Sequence, residues 1–292
     1  MRILFIGDIV GGPGRRIVVR AVPRLVKRER LDLVVANAEN AAAGSGLTSV
    51  MYRELTAGGV DCITLGDHIY RRKEIRGILE TETNIVKPAN YPPEAPGREF
   101  AVVSTAAGVP VGVISLMGRV FMKPVDSPWH AADRVLAELP EEVKVILVDM
   151  HAEATSDKQL MGRYLDGRVT AVLGTHTHVP TADEQILPGG TAFQCDVGMT
   201  GPYESILGRR MDRVMETTRT GYPTSFDVAK HDVRIGGAIV EADPTTGRAL
   251  SIRRFCLRED ELPELERAVE KATVDKAPVD KATVEQASSG DA

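Results

Sequence analysis

Short apolar runs alternate with longer amphipathic stretches through the first half of the chain. The runs have the length of buried strands and cover residues 2–6, 31–36, 60–65, 143–148 and 169–173. Residues 13–30 instead place apolar side chains three or four positions apart, which predicts a helix with one buried face. Strands that alternate with helices favour an α/β fold with parallel strand pairing.

The remaining pattern predicts hairpins and short capped helices. Residues 100–105 and 109–116 flank a small turn, and residues 233–242 and 250–256 flank the turn at 244–247. Thr48 and Ser156 each precede a helical pattern, so both are predicted N-caps. The hairpins add antiparallel pairs, and the sequence therefore predicts mixed sheets.

The C-terminal residues differ in composition. The segment KATVDK at 271–276 nearly recurs as KATVE at 281–285, and the region is charged and lacks aromatic residues. Such a sequence does not bury enough apolar surface to form a core. We predict one domain over residues 1–260 and a low-complexity charged extension over residues 261–292.

Composition and charge restrict the functional class. Of the 292 residues, 43% are hydrophobic, and the net charge is −5 with a pI near 5.8, which argues against stable nucleic-acid binding. The three cysteines are too scattered for a disulfide framework or a cysteine-type zinc site. The N-terminus lacks a signal-peptide pattern, and no apolar run has the length of a membrane span. We expect a cytoplasmic protein without a membrane anchor, and a homo-oligomer is possible.

Five of the apolar strands end in side chains that bind metals. The candidates are Asp8, Glu39, Asn40, Asp67, His68, His151, His176 and His178. Each alone has a simpler explanation, such as a helix cap for Asp8 or a loop carboxylate for Glu39. Together they indicate a metal centre, because the carboxyl ends of parallel strands share one edge of a sheet. If the backbone stays extended, His176 and His178 project to the same side.

The donor set suggests two metal ions. It mixes oxygen and nitrogen without thiolate, which suits manganese, iron or zinc. It is also too large for one four-coordinate ion. Two ions that share a carboxylate can hold a bridging hydroxide and clamp a phosphoryl group, and His68 is placed to protonate the leaving group.

Read in order, these strand ends resemble the blocks of the calcineurin-like metallophosphoesterases, and more narrowly their YmdB-like family. The resemblance rests on Gly7-Asp8, Asn37-Ala38-Glu39-Asn40, Gly66-Asp67-His68, Asp149-Met150-His151-Ala152-Glu153 and Gly174-Thr175-His176-Thr177-His178. The stretches 87–92 and 196–202 are similar to other characteristic segments of that family. The likeness covers roughly residues 1–256.

The resemblance implies a sandwich of two mixed sheets flanked by helices, with a dinuclear site at the carboxyl ends of the strands. It assigns Asp8 and His178 to one metal and Asp67, His151 and His176 to the other. Glu39 would bridge the two metals, Asn40 would add a ligand, and His68 would donate the proton. The implied metals are iron, manganese or both.

The same resemblance implies a phosphodiesterase for nucleoside 2′,3′-cyclic monophosphates. Two alternatives remain open on the same site: hydrolysis of another phosphate ester, including monoesters, and a regulatory protein that binds a nucleotide with weak turnover. No substrate-binding residue is identified, although Glu153 and Thr155 are candidates to orient the ligands.

Two positions depart from the wider superfamily. Ile9 and Val10 follow Asp8 where a histidine ligand is usual two residues after the aspartate. Position 67 is Asp where Asn is usual. Asp67 retains an oxygen ligand but adds negative charge, which favours cation binding and repels a phosphate oxyanion.

Overall fold

The computed structural model describes residues 1–274, with side chains described through residue 270. The strands are β1 (Arg2–Ile6), β2 (Leu33–Asn37), β3 (Cys62–Thr64), β4 (Ile85–Val86), β5 (Phe100–Ser104), β6 (Pro110–Met117), β7 (Val145–His151), β8 (Ala171–Thr175), β9 (Gln185–Ile186), β10 (Ala192–Gln194), β11 (Gly201–Pro202), β12 (Val233–Ala242) and β13 (Ala249–Arg258). The helices are α1 (Gly11–Glu29), α2 (Ser49–Ala57), α3 (Ile75–Thr81), α4 (Pro128–Glu138), α5 (Thr155–Tyr164), α6 (Met211–Thr220) and α7 (Leu262–Val274).

The described strands form two mixed sheets. The first has the order β11-β12-β1-β2-β3-β4, with β13 paired to β12, and the second has the order β5-β6-β7-β8-β10-β9. Strands β1 to β4 are parallel, as are β6, β7, β8 and β10, whereas β12 and β5 run antiparallel to their neighbours. The prediction of an α/β sandwich with two mixed sheets is confirmed.

The apolar runs are continuous because both faces of the central strands are buried. In β1, Ile3 and Phe5 pack into the core between the two sheets, where they join Val145 and Leu147 of β7. The alternate residue Leu4 lies in the core cluster beneath α1. A second helix-facing core lies under α4 and α5. The helices therefore cover the outer faces of the sandwich, and the strand ends remain available for a site.

Two helix starts show how well local sequence predicts structure. Thr48 caps α2, because its side chain accepts a hydrogen bond from the Met51 backbone N–H at 3.3 Å. The predicted cap at Ser156 is wrong. Helix α5 begins at Thr155, with Ala154 at the N-cap position and no side-chain cap, so Ser156 lies inside the first turn.

The region after residue 260 is partly folded against the domain. Helix α7 packs on α1, and Leu262 and Leu265 are buried in the same core cluster as Leu25. The expectation that residues after 260 contribute nothing to the core is therefore wrong for these two leucines. Their apolar side chains, three positions apart on one helix face, join an existing core. The boundary at residue 260 stays a prediction, and the repeat beyond residue 274 lies outside the described residues.

Among the described residues, none of the helices combines the length and the apolar character that crossing a lipid bilayer requires.

Candidate metal centre

The carboxyl ends of five strands from both sheets meet at one place. Asp8, Glu39 and Asp67 follow β1, β2 and β3 of the first sheet. His151 ends β7 in the second sheet, and His176 directly follows β8. The candidate ligands therefore come from two sheets rather than from the edge of one, and they face each other across the end of the sandwich.

Glu39 lies at the centre of the cluster and is fully buried. Its Oε1 atom is 3.3 Å from His151 Nε2 and 3.2 Å from His68 Nδ1. The same oxygen is 3.2 Å from Asn40 Nδ2. Its other oxygen accepts a hydrogen bond from the His68 backbone N–H at 2.9 Å. Glu39 thus contacts residues on both sides of the site.

A compact group lies on one side of Glu39. His151 Nε2 is 3.3 Å from Asp67 Oδ1 and 3.1 Å from His176 Nδ1. Asp67 Oδ1 is 3.5 Å from His176 Nδ1. One ligand atom from each of Glu39, Asp67, His151 and His176 lies within 4.8 Å of the others. Ligand atoms this close together can coordinate a single cation.

A looser group lies on the other side. His178 Nε2 is 3.7 Å from Asp8 Oδ1, and Asn40 Nδ2 is 3.3 Å from each of these atoms. An amide nitrogen has no lone pair for a metal. The Asn40 oxygen instead lies 2.8 Å from His68 Nδ1. For Asn40 to act as a ligand, as predicted, its side-chain amide must flip so that the oxygen takes the place of the nitrogen beside Asp8 and His178.

The backbone between the two histidines bends sharply. His176 has φ 90° and His178 has φ 64°, both in the left-handed region that is uncommon for residues other than glycine. The backbone is therefore not extended here, and the condition under which both rings would project to the same side is not met. The bend sends His176 to Asp67 and His178 to Asp8, so the two imidazoles serve different groups.

A buried ion pair supports this bend. Lys158 and Asp196 are almost completely buried, with Nζ and Oδ2 2.8 Å apart. Asp196 Oδ2 also accepts hydrogen bonds from the hydroxyl of Thr177 at 2.6 Å and from its backbone N–H at 3.2 Å. Thr177 stands between the two histidines, so the pair anchors their loop. Local sequence patterns do not reveal the pair, because its members lie far apart along the chain.

Gly66 allows the two sheets to close at the site. A Cβ atom on Gly66 would stand 2.3 Å from His151 Cδ2 and Nε2 and 2.5 Å from Glu39 Oε2. These separations are shorter than real Cβ atoms show. Glycine is required here for space rather than for an unusual backbone angle.

His68 lies at the rim, with a quarter of its side chain exposed. Its Nδ1 atom faces the Asn40 oxygen, and its Nε2 atom is 3.7 Å from Asp67 Oδ2. The Asn40 oxygen can only accept a hydrogen bond, so Nδ1 of His68 is the nitrogen that donates to it. The other ring nitrogen, Nε2, points away from this hydrogen bond. His130 and His231 are both exposed, His130 on α4 and His231 just before β12.

Buried charges dominate the electrostatics of the site. Burial raises the pKa of Glu39, but the charge of His151 and hydrogen bonds from His151 and His68 outweigh it and hold that pKa well below its usual value. Burial lowers the pKa of His151, but the charge of Glu39 and the hydrogen bond with Asp67 outweigh it and raise that pKa well above its usual value. The buried carboxylates are thus stabilised by a nearby positive charge, which either a proton on His151 or a metal ion can supply.

Two further side chains bear on the ligands. Glu153 Oε2 lies 3.1 Å from His176 Nε2, the ring nitrogen that faces away from the cluster, as expected for a residue that orients the ring. Asp149 opens the motif that continues through His151 to Glu153, but the sequence assigns it no role. Burial raises its pKa to about 6, while the charge of His151 and hydrogen bonds from Thr175 and other neighbours limit the rise. The signal that could have drawn attention to Asp149 itself is a carboxylate near the end of an apolar strand.

The residues present fit a metal centre. Three carboxylates and three imidazoles converge in a largely buried space, and oxygen with nitrogen is the donor set of manganese, iron and zinc sites. Buried carboxylates of this number require a compensating cation. The compact group around His151 can hold one ion as it stands.

Comparison with known proteins supports this assignment. Residues 4–255 match the family model of the YmdB-like proteins. The chain is 44% identical to a 2′,3′-cyclic-nucleotide 2′-phosphodiesterase of Bacillus subtilis (strain 168), over 90% of this chain and 99% of the relative.

Two solved structures are similar along almost the whole chain. A hypothetical protein from Thermus thermophilus gives a TM-score of 0.83 at 44% identity and covers 89% of this chain and 100% of its own. A phosphatase from Mycoplasma pneumoniae gives a TM-score of 0.82 at 29% identity, with 91% and 96% covered. The resemblance seen in the sequence is confirmed, and the chain belongs to the YmdB-like family.

Proposed function

We propose that this protein is a dinuclear-metal phosphodiesterase that hydrolyses nucleoside 2′,3′-cyclic monophosphates. The observation that carries the proposal is the convergence of Glu39, Asp67, His151 and His176 within 4.8 Å. The substrate class comes from the Bacillus subtilis relative, which is similar to this chain over nearly its full length.

The geometry supports a division of ligands between two ions. Asp67, His151 and His176 would hold one ion, since their ligand atoms are 3.1–3.5 Å apart. Asp8 and His178 would hold the other, and Glu39 would bridge. Its Oε1 atom contacts His151 on one side and, on the other, Asn40, which in turn contacts Asp8 and His178. When bound, the ions would activate water and neutralise charge on the phosphate.

Iron, manganese or both are the proposed metals. The site offers carboxylate oxygen and imidazole nitrogen, and its described residues include no cysteine ligand. Cys62 and Cys195 are buried free thiols, which is consistent with a reducing compartment, and we propose that the protein acts in the cytoplasm.

His68 is the proposed general acid. Hydrolysis adds a water oxygen to phosphorus and breaks the bond to the 2′-oxygen, which must then gain a proton. The Asn40 oxygen lies against Nδ1 of His68, so Nε2, on the other side of this partly exposed ring, can deliver that proton. The product would be the nucleoside 3′-monophosphate, in keeping with the 2′ specificity in the relative's name.

The test compares two histidine variants of the full chain on 2′,3′-cyclic AMP in the presence of Mn²⁺. We expect His68→Ala to keep its metal content and to lose about 10²- to 10⁴-fold in kcat, the usual contribution of a general acid. His130→Ala, an exposed histidine on α4, is the matched control and should keep wild-type turnover. Undiminished turnover of His68→Ala would remove His68 from the mechanism.

The alternative functions predict different results in the same assay. A monoesterase would release phosphate from 3′-AMP and leave the cyclic substrate intact. A regulatory nucleotide-binding protein would hold metal and bind the cyclic nucleotide without appreciable turnover. Asp67 adds negative charge beside the phosphate, so slow hydrolysis is expected from this chain relative to a member with asparagine at that position.

A further inference from the structure

Asp149 lies between the two sheets, directly beneath the metal centre. It sits on β7 of the second sheet and is fully buried. From the first sheet, Asn37 Nδ2 and the Thr64 hydroxyl donate to its Oδ2 atom at 2.9 and 2.6 Å. From the second sheet, the Thr175 hydroxyl donates to its Oδ1 atom at 2.6 Å. One carboxylate on β7 thus accepts hydrogen bonds from the last residues of β2, β3 and β8.

The partners of Asp149 in each sheet also contact a proposed metal ligand. On the first sheet, the Asn37 side-chain oxygen accepts a hydrogen bond from the Glu39 backbone N–H at 3.1 Å. On the second sheet, Thr175 Oγ1 is 2.8 Å from His151 Nδ1. Hydrogen bonds through Asp149 therefore connect the Glu39 backbone to the His151 ring, and these two proposed ligands follow or end strands of different sheets.

The hydrogen bonds also fix the direction of the protons. A hydroxyl has one proton, and Thr175 gives it to Asp149, which as a carboxylate can only accept. Thr175 Oγ1 can then only accept from His151, so the Nδ1 atom of that ring must carry a proton. The other nitrogen, Nε2, is the atom that faces Glu39 and Asp67, each at 3.3 Å.

We propose that Asp149, acting through Thr175, is a positioning residue that keeps a proton on His151 Nδ1 and so presents Nε2 to a metal ion. The proposal rests on the proposed metal centre. It assigns a task to a buried carboxylate that touches no ligand directly and that the proposed reaction does not use.

Thr64 and Thr175 form a matched pair for the test. Both are fully buried, both end a strand, and each donates to Asp149 at 2.6 Å. Only Thr175 also contacts His151. Valine at either position preserves side-chain shape and removes one hydroxyl that donates a hydrogen bond to Asp149. The two variants therefore differ mainly in whether the contact with the His151 ring is also lost.

The measurement is the affinity of the metal-depleted full chain for Mn²⁺, by titration, with thermal unfolding to confirm that each variant is folded. We expect Thr175→Val to bind Mn²⁺ about 10- to 100-fold more weakly than wild type, the usual effect of losing a group that orients a ligand. Thr175→Ser retains the hydroxyl and should restore affinity close to wild type. Thr64→Val should also bind Mn²⁺ with nearly wild-type affinity.

The outcomes separate this proposal from the proposed function. Wild-type affinity in Thr175→Val, or an equal loss in Thr64→Val and Thr175→Val, would overturn the positioning role and leave the metal centre in place. No Mn²⁺ binding by the wild-type chain would overturn both.

Asp149→Asn provides the second variant if Thr175→Val does not fold. Because Asn37 and Thr64 donate to one side of residue 149, the new amide would place its oxygen there and its N–H toward Thr175. Thr175 would then donate to His151 Nδ1, so we again expect weaker Mn²⁺ binding. Wild-type affinity in Asp149→Asn would overturn the proposal.

Discussion

Replacing Gly66 with alanine tests whether the site depends on close approach of the two sheets. The added Cβ would stand 2.3 Å from His151 Nε2, whereas ordinary Cβ contacts begin at 3.4 Å. Either the ring or the backbone of residue 66 must therefore move by about 1 Å, a displacement that can lower turnover about 100-fold. Both His151 and Glu39 are fully buried, so neither can swing into solvent to relieve the clash.

The assay combines Mn²⁺ titration, turnover of 2′,3′-cyclic AMP and urea unfolding. We expect Gly66→Ala to bind Mn²⁺ more weakly and to lose about 100-fold in kcat/KM. Overpacking should also lower the free energy of unfolding by about 1–3 kcal/mol. Gly77→Ala is the control, because its new Cβ meets no atom within 4 Å and alanine favours the helix α3. Wild-type Mn²⁺ affinity and turnover in Gly66→Ala would refute the packing of His151 and Glu39 described above.

Four further predictions concern the ion pair, the C-terminal helix, metal removal and the pH dependence of metal binding. Lys158→Met leaves Asp196 buried without its cation and should lower the free energy of unfolding by about 3–5 kcal/mol in urea titrations; a loss below about 1 kcal/mol would contradict the buried pair. Leu265→Ala should destabilise by about 2–5 kcal/mol if α7 packs as described, and an unchanged urea midpoint would show that it does not. Chelation should lower the melting temperature, and Mn²⁺ should restore it. Because the pKa of His151 is raised, Mn²⁺ must displace a proton, so its affinity should fall as pH decreases, and calorimetry in buffers of different ionisation enthalpy should detect proton release.

The sequence predicts the α/β class and the candidate ligands because both depend on local patterns. Apolar runs of strand length mark β1 and β7, and polar residues within three positions after each run include proposed ligands, as with Asp8 and His151. The first residue of a helix is predicted less reliably from the sequence. The Thr48 cap was predictable from one residue, whereas α5 begins without a side-chain cap.

Contacts between distant strands could not be predicted from these patterns. Asp149 accepts a hydrogen bond from Asn37, more than a hundred residues away in the sequence, and no local pattern reveals that the two are partners. The bend at His176 depends on Asp196, which the chain places twenty positions later. The periodicity of an extended strand therefore does not apply to the two histidines, whose rings contact different groups.

The central claim is that this metal centre hydrolyses a cyclic phosphodiester. It is tested most directly by chromatography of the products that the purified full chain forms from 2′,3′-cyclic AMP, with Mn²⁺ and after chelation. We predict conversion to 3′-AMP with Mn²⁺, and none after chelation. An intact substrate in the presence of bound Mn²⁺, or equal conversion after chelation, would contradict the claim.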